Sequence, residues 1–218
     1  MHVLGELWQS TVGKKALVAV SGLVLWIWVV LHVLGNLTMF SGATAIDGYA
    51  AALRRVPAGL WTARAGLATA ALVHIAGVVS LARASRAAQP RYSMAAPRTP
   101  SALAARTMRA GGVLLLVFVG YHVLHLTFGV LHPGFTAGRV YDNVVVGLRP
   151  AWVAAVYVAA AALLGLHLFH GLWAAVRSLG LRPEAAARCR RPAVAVLAAA
   201  VAVGFGAIPI AVLAGWLR

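Results

Sequence analysis

Six histidines lie within or at the edges of long apolar stretches of this sequence, where no acidic residue is found. They are His32, His74, His122, His125, His167 and His170. An ionisable side chain in a bilayer is costly, and such residues usually face the interior of a helix bundle with a function. One histidine of this kind is explained as well by a hydrogen bond across helices. Four of them, one on each of four successive stretches at matched depths, favour ligation of a cofactor.

The four matched histidines form two layers. His74 and His167 lie nine and ten residues from the arginines that follow them, which is about 14 Å at the rise of a helix. His32 and His122 lie about 20–25 Å from the same side by that measure. Two neutral imidazoles from facing helices close both axial positions of a haem iron, which favours electron transfer. Zinc fits less well, because it takes three or four ligands in one cluster.

The single cysteine limits how such a cofactor could be attached. Cys189 alone cannot form an internal disulfide, a Cys-x-x-Cys zinc site or a Cys-x-x-Cys-His haem attachment. Any haem is therefore held by coordination alone, and the two layers predict two haems b.

The elements that position these histidines are predicted to be transmembrane helices. The sequence is 62% hydrophobic, against about 45–50% in soluble domains. Five stretches reach the ~20 residues that cross a hydrocarbon core. We therefore predict an all-α fold, in which residues 1–218 form a single membrane domain of five transmembrane helices. The spans run roughly from Ala16 to Phe40, Leu60 to Leu81, Ala110 to Leu131, Ala151 to Val176, and Ala193 to Leu217.

The basic residues predict the direction of these spans. The net charge is +15, but the basic residues flank apolar stretches instead of lining a polar face, which argues against nucleic-acid binding. Of 19 Lys and Arg residues, 13 lie before the first span, between the second and third, or between the fourth and fifth. The positive-inside rule then places the N-terminus in the cytoplasm and the C-terminus outside. We expect a multi-pass protein of the cytoplasmic (inner) membrane.

An internal repeat helps to choose among the histidines. Gly22 lies ten residues before His32, and Gly112 lies ten residues before His122; Val-Leu follows both histidines. The second and fourth spans also correspond through His74 and His167. We interpret spans one and two as a hairpin that recurs as spans three and four. This repeat favours His122 and His167 as ligands over His125 and His170, which lie three residues further along.

The order and spacing of several motifs resemble a known family. The chain is similar, over its whole length, to the five-helix, di-haem cytochrome b membrane anchor of succinate:quinone oxidoreductases and fumarate reductases. The motifs are Thr11-Val12-Gly13-Lys14-Lys15, Ser21-Gly22, His32 to Leu37, Phe40-Ser41-Gly42, Asp47 to Ala50, Tyr121-His122-Val123, and His167 to Trp173.

The resemblance implies the ligand pairs and the partners. It pairs His32 with His122 at an outer haem and His74 with His167 at an inner haem. It implies a flavoprotein subunit and an iron–sulfur subunit on the cytoplasmic face, with dicarboxylate chemistry in the flavoprotein. This chain would then be an electron-transfer subunit of that enzyme, exchanging electrons with a membrane quinone, commonly menaquinone. A higher oligomer of the complex is left open.

Several assignments stay open at this point. His125 and His170 are alternative ligands, or bind haem propionates, quinone or backbone. Candidates for the quinone site are Asn36, Asp47 and Tyr49 near one end, or Trp8, Ser10 and Arg177 near the other. Other functions are a di-haem anchor of a hydrogenase or formate dehydrogenase, or a haem-free structural anchor. A proton-relaying transporter is disfavoured, because it would need acidic residues or broken helices at mid-membrane.

Overall fold

The structure is a computed structural model that describes residues 2–87, 100–180 and 187–218. Its main elements are helices: α1 (His2–Gln9), α2 (Thr11–Leu37), α3 (Ala43–Arg54), α4 (Pro57–Ala87), α5 (Pro100–His122), α6 (Val140–Leu148), α7 (Ala151–Ser178) and α8 (Ala187–Leu213). A 3₁₀ turn (Thr38–Ser41) follows α2, and a π-helical turn (Val123–Thr127) follows α5. Part of the two predicted basic loops, including Arg91, Arg98 and Arg182, lies outside the described residues.

Five helices in the described ranges are long and apolar enough to cross a membrane. They cover Thr11–Ser41, Pro57–Ala87, Thr107–Thr127, Ala151–Ser178 and Pro192–Leu213. The shortest has 21 residues, which corresponds to about 31 Å of helix against a hydrocarbon core of about 30 Å. The predicted all-α fold with five spans is confirmed, and the chain is a multi-pass membrane protein.

Two spans end earlier than predicted. The third ends at Thr127 instead of Leu131, because Gly129 adopts a positive φ of 70° and turns the chain. The fifth ends at Leu213 instead of Leu217. There Gly215 has a φ of 73°, and the amides of Trp216 and Leu217 bond back to the Ala211 carbonyl. Both ends use a glycine in the left-handed region to stop a helix, which apolar composition alone does not reveal.

Four of the spanning helices form a ring that is open between its first and last members. Helix α2 packs against α4 and α7, and α7 packs against α5, so the order around the ring is α4, α2, α7, α5. Helices α4 and α5 do not pack closely on each other, and neither do the diagonal pairs α2/α5 and α4/α7. Helix α8 lies outside this ring, against α2 and α7. The interior of the ring is therefore bordered by helices that are held apart across its diagonals.

The packed core lies at α8 and at the end of the bundle that carries α3 and α6. In the middle, buried Val33 and Leu168 meet Ala198 and Val201 of α8. At the α3/α6 end the Asp47 carboxylate accepts a hydrogen bond from the Tyr141 amide (3.0 Å). This bond satisfies a free amide at the start of α6, and it ties α3 to α6 above a second apolar cluster. At the opposite end, the Ser10 hydroxyl caps α2 by accepting from the Gly13 amide (2.8 Å).

Candidate functional site

Four spanning helices bring their histidines together in two facing pairs. The ring centres of His32 on α2 and His122 on α5 lie 5.9 Å apart, with the ring planes at 82°. Those of His74 on α4 and His167 on α7 lie 6.4 Å apart, at 66°. Each pair joins two helices that lie diagonally across the ring. The pairing is the one that the internal repeat and the resemblance predict.

The spacing within each pair suits a metal ion with two opposed imidazole ligands. An ion about 2.0 Å from one nitrogen of each ring, with that nitrogen roughly 1.1 Å from its ring centre, places the two centres about 6.2 Å apart. The observed separations of 5.9 and 6.4 Å bracket that value. The diagonal helices do not pack closely on each other, so the space beside each pair is not filled by helix-to-helix contact.

The two pairs occupy different levels of the bundle. The His74 ring lies beside Gly22 of α2, ten residues before His32. The His167 ring lies beside Gly112 of α5, ten residues before His122. Ten residues of helix rise about 15 Å, which is more than the difference between the predicted depths.

The glycines of the repeat make room for imidazoles. A Cβ atom at Gly22 would lie 3.1 Å from Cε1 of His74, and one at Gly112 would lie 3.5 Å from Cε1 of His167. Each glycine therefore receives the histidine of the other helix in its own hairpin. The sequence showed the matched glycines, and the structure shows what they face.

The His32–His122 pair is surrounded by aromatic rings. Trp28 stacks on His32 (6.0 Å) and Phe118 stacks on His122 (5.9 Å), each from four residues earlier on the same helix. Phe205 of α8 lies 5.6 Å from the His32 ring, and Tyr157 of α7 lies 5.9 Å from the His122 ring. These neighbours restrict the orientation of both imidazoles.

The ring nitrogens of the paired histidines differ in their hydrogen bonds. Within the described part of the chain, His122 Nδ1 and His167 Nδ1 are buried without a hydrogen-bond partner. A buried polar atom left unpaired costs about 1–3 kcal/mol. On the partner rings, the Asn36 amide donates to His32 Nε2 (3.3 Å), so that nitrogen carries a lone pair. The spacing of the two ring pairs fits a bis-imidazole cofactor such as haem.

His125 and His170 are placed differently from the facing pairs. His125 is 1% exposed and its Nδ1 bonds to the Tyr157 hydroxyl (2.9 Å). His170 donates from Nδ1 to the Leu166 carbonyl of its own helix (2.9 Å). In the repeat their counterparts are glycines, Gly35 and Gly77. Neither residue forms a facing pair across the bundle, and their role as alternative ligands stays a prediction.

A buried polar cluster beside His125 was not expected from the sequence. His132 stacks on the His125 ring (5.1 Å) and donates from Nε2 to the Asn143 carbonyl (2.7 Å). The Asn143 side chain in turn bonds to both backbone groups of Thr136. The cluster holds the connection between α5 and α6 in place. Its only sequence signal was an asparagine in an apolar segment next to a histidine-containing loop.

The candidate quinone residues are spread over both ends of the bundle. Asp47 caps α6, Ser10 caps α2, and the Tyr49 ring covers Gly35, so each has a structural contact. Asn36 bonds to His32, which makes it the one candidate that touches a paired histidine. Trp8 and Arg177 are exposed. The position of a quinone site therefore stays a prediction.

No protein-family model, curated protein or solved structure matches the chain. Support for a function therefore comes from the residues of the chain and their geometry.

Proposed function

We propose that the chain is the di-haem cytochrome b membrane anchor of a succinate:quinone oxidoreductase or fumarate reductase. The observation that carries this proposal is the occurrence of two facing histidine pairs, at 5.9 and 6.4 Å, on two levels of one bundle. One haem b is held by His32 and His122, and the other by His74 and His167. When bound, the haems supply one-electron transfer between an iron–sulfur subunit and a membrane quinone such as menaquinone.

The arrangement of the ligands supports haem over a zinc ion. In the described ranges, no three His, Cys, Asp or Glu side chains come together. Each pair is thus a two-ligand site, which suits a group that already supplies four equatorial nitrogens, whereas structural zinc takes four protein ligands. In the described ranges, the diagonal helices make no close packing contact with each other, which a planar group between them requires.

The protein's own residues have three tasks in this function. The paired imidazoles bind and orient the cofactors, and the glycines opposite His74 and His167 give these rings space. The apolar surfaces of the spanning helices anchor the complex in the inner membrane. We place the N-terminus and α1 on the cytoplasmic side, where the flavoprotein and the iron–sulfur subunit would bind.

Purification of the native complex tests the proposal. We expect a pyridine haemochrome assay to give two haems b per chain, and we expect a flavoprotein and an iron–sulfur protein to copurify with succinate dehydrogenase activity. A haem content near zero in folded complex would overturn the haem assignment and leave a structural anchor. Two haems with a copurifying hydrogenase or formate dehydrogenase would overturn the identity of the enzyme and keep the haem sites.

A further inference from the structure

The two rings of the His74–His167 pair differ in their hydrogen bonds. His74 Nδ1 lies 3.1 Å from the Val18 carbonyl oxygen and 3.4 Å from the Ser21 hydroxyl. His167 Nδ1, in contrast, is buried without a partner among the described residues. The two ligands that would share one iron therefore have unequal surroundings.

The hydrogen-bond directions define the tautomer of His74. A carbonyl oxygen can only accept, so Nδ1 of His74 carries the hydrogen. The Ser21 hydroxyl donates to the Leu17 carbonyl (2.7 Å), which leaves the serine oxygen free to accept from the same Nδ1–H. In the neutral ring the lone pair then resides on Nε2, the nitrogen available for a metal.

The site is built to hold the ring in this position. Ser21 is 6% exposed, and its neighbour Gly22 leaves the space in which the His74 ring lies. A serine that bonds to the carbonyl of the preceding turn is fixed in its rotamer. The hydroxyl thus offers its lone pair at a defined place beside Nδ1.

The repeat supplies an internal comparison that lacks the hydroxyl. Residue 21 corresponds to residue 111, by the same offset that relates His32 to His122. At residue 111 the chain has glycine, and a Cβ built there meets no atom within 4 Å. The second half of the molecule therefore has the glycine that makes room for the histidine, Gly112, without the serine.

We infer that Ser21 is a positioning residue which, with the Val18 carbonyl, holds His74 as an Nε2-ligating imidazole and makes the His74–His167 pair electronically unequal. This inference rests on the proposed function. A hydrogen bond from Nδ1–H makes the opposite nitrogen a more basic ligand. A more basic ligand stabilises the oxidised iron, so the bond lowers the reduction potential of the haem at this pair.

Redox titration of the purified complex, followed by optical and EPR spectra, tests this inference through two opposite changes. In S21A we expect the reduction potential of the His74–His167 haem to rise. In S21T, which keeps the hydroxyl, we expect this potential to be unchanged. In G111S, which adds a hydroxyl at the position equivalent to Ser21, we expect the same potential to move downward. The other haem should keep its potential in all three variants.

Ser80→Ala is the matched control, since it removes a hydroxyl from α4 six residues beyond His74. The inference is overturned if S21A and G111S leave the potential in place while two haems are bound, or if S80A moves it as much as S21A does. If S21A does not assemble, G111S and S21T decide the question. Absence of haem from the wild-type complex would instead contradict the proposed function.

Discussion

The His32–His122 pair and the His74–His167 pair use different means to hold an imidazole. Rings enclose the first: Trp28, Phe118 and Phe205 lie within about 6 Å of its members. In the second pair each histidine ring lies beside a glycine of a neighbouring helix. Its His74 ring is also hydrogen-bonded to the backbone and to Ser21.

This difference follows the helices on which the pairs lie. Only 6% of the α4 span, which carries His74, is buried, against 17% of the α2 span, which carries His32. His74 on α4 is therefore held by polar contacts to α2, because few neighbouring side chains are available to enclose it. His32 faces α8 and is held by packing. The two levels of the bundle thus have different environments, and the fifth helix covers one side of the His32 ring.

Removing a ligand from either pair gives the largest effect that we predict. We expect His122→Leu to abolish the haem signal of the His32–His122 pair alone, and His167→Leu to abolish that of the other pair alone. Each variant should bind about one haem where the wild type binds two, because a second axial imidazole is lost. Haemochrome quantitation and low-spin EPR measure both results.

A specific outcome would contradict this ligand assignment. If His122→Leu kept both low-spin signals and His125→Leu removed one, the ligand would lie one helical turn further along α5. The same comparison of His167→Leu with His170→Leu tests the register on α7.

The glycines should show an intermediate effect that differs between the two halves. We expect Gly22→Ala to alter the EPR signal of the His74–His167 pair and to lower the melting temperature, because its Cβ would lie 3.1 Å from the His74 ring. Overpacking of this kind costs about 1–3 kcal/mol. Gly112→Ala should be nearly neutral, since its Cβ would lie 3.5 Å from the His167 ring.

Gly120→Ala on α5 is the control for these variants, because a Cβ there meets no atom within 4 Å. Equal responses of Gly22→Ala and Gly112→Ala would show that the two halves hold their histidines alike.

Replacement of the unpaired histidines should affect the haems least. We expect His170→Leu to keep both haem signals and the wild-type stability, because its ring bonds only to its own helix at Leu166. His125→Phe should also keep both signals. It should destabilise the complex by about 1–3 kcal/mol, since the Tyr157 hydroxyl loses its buried partner. Thermal melts with parallel EPR spectra check both variants, and loss of a haem signal in either would make that residue a ligand.

The sequence predicts the number of spans and the histidine pairing because both depend on strong periodic signals. Five apolar stretches need little context to become helices in lipid, and Gly22 and Gly112 mark equivalent levels of two hairpins. The ends of the third and fifth spans were wrong because glycines stop these helices within apolar sequence. Individual tertiary contacts could not be predicted, because nothing in the spacing of residues indicates that Tyr157 bonds to His125, or that Asp47 caps α6.

The position of α8 has a consequence for how the protein is made. Helix α2 leaves the ribosome before α4, α5 and α7, and α8 leaves it after them, yet α2 and α8 pack together, and a Cβ at Gly204 would lie 2.6 Å from the Val33 side chain. Domains generally fold from the N-terminus during synthesis, but this contact must wait until α8 has been translated. Until then the side of His32 that Phe205 later covers stays open, so the nascent four-helix stage is the period in which this ring is most accessible.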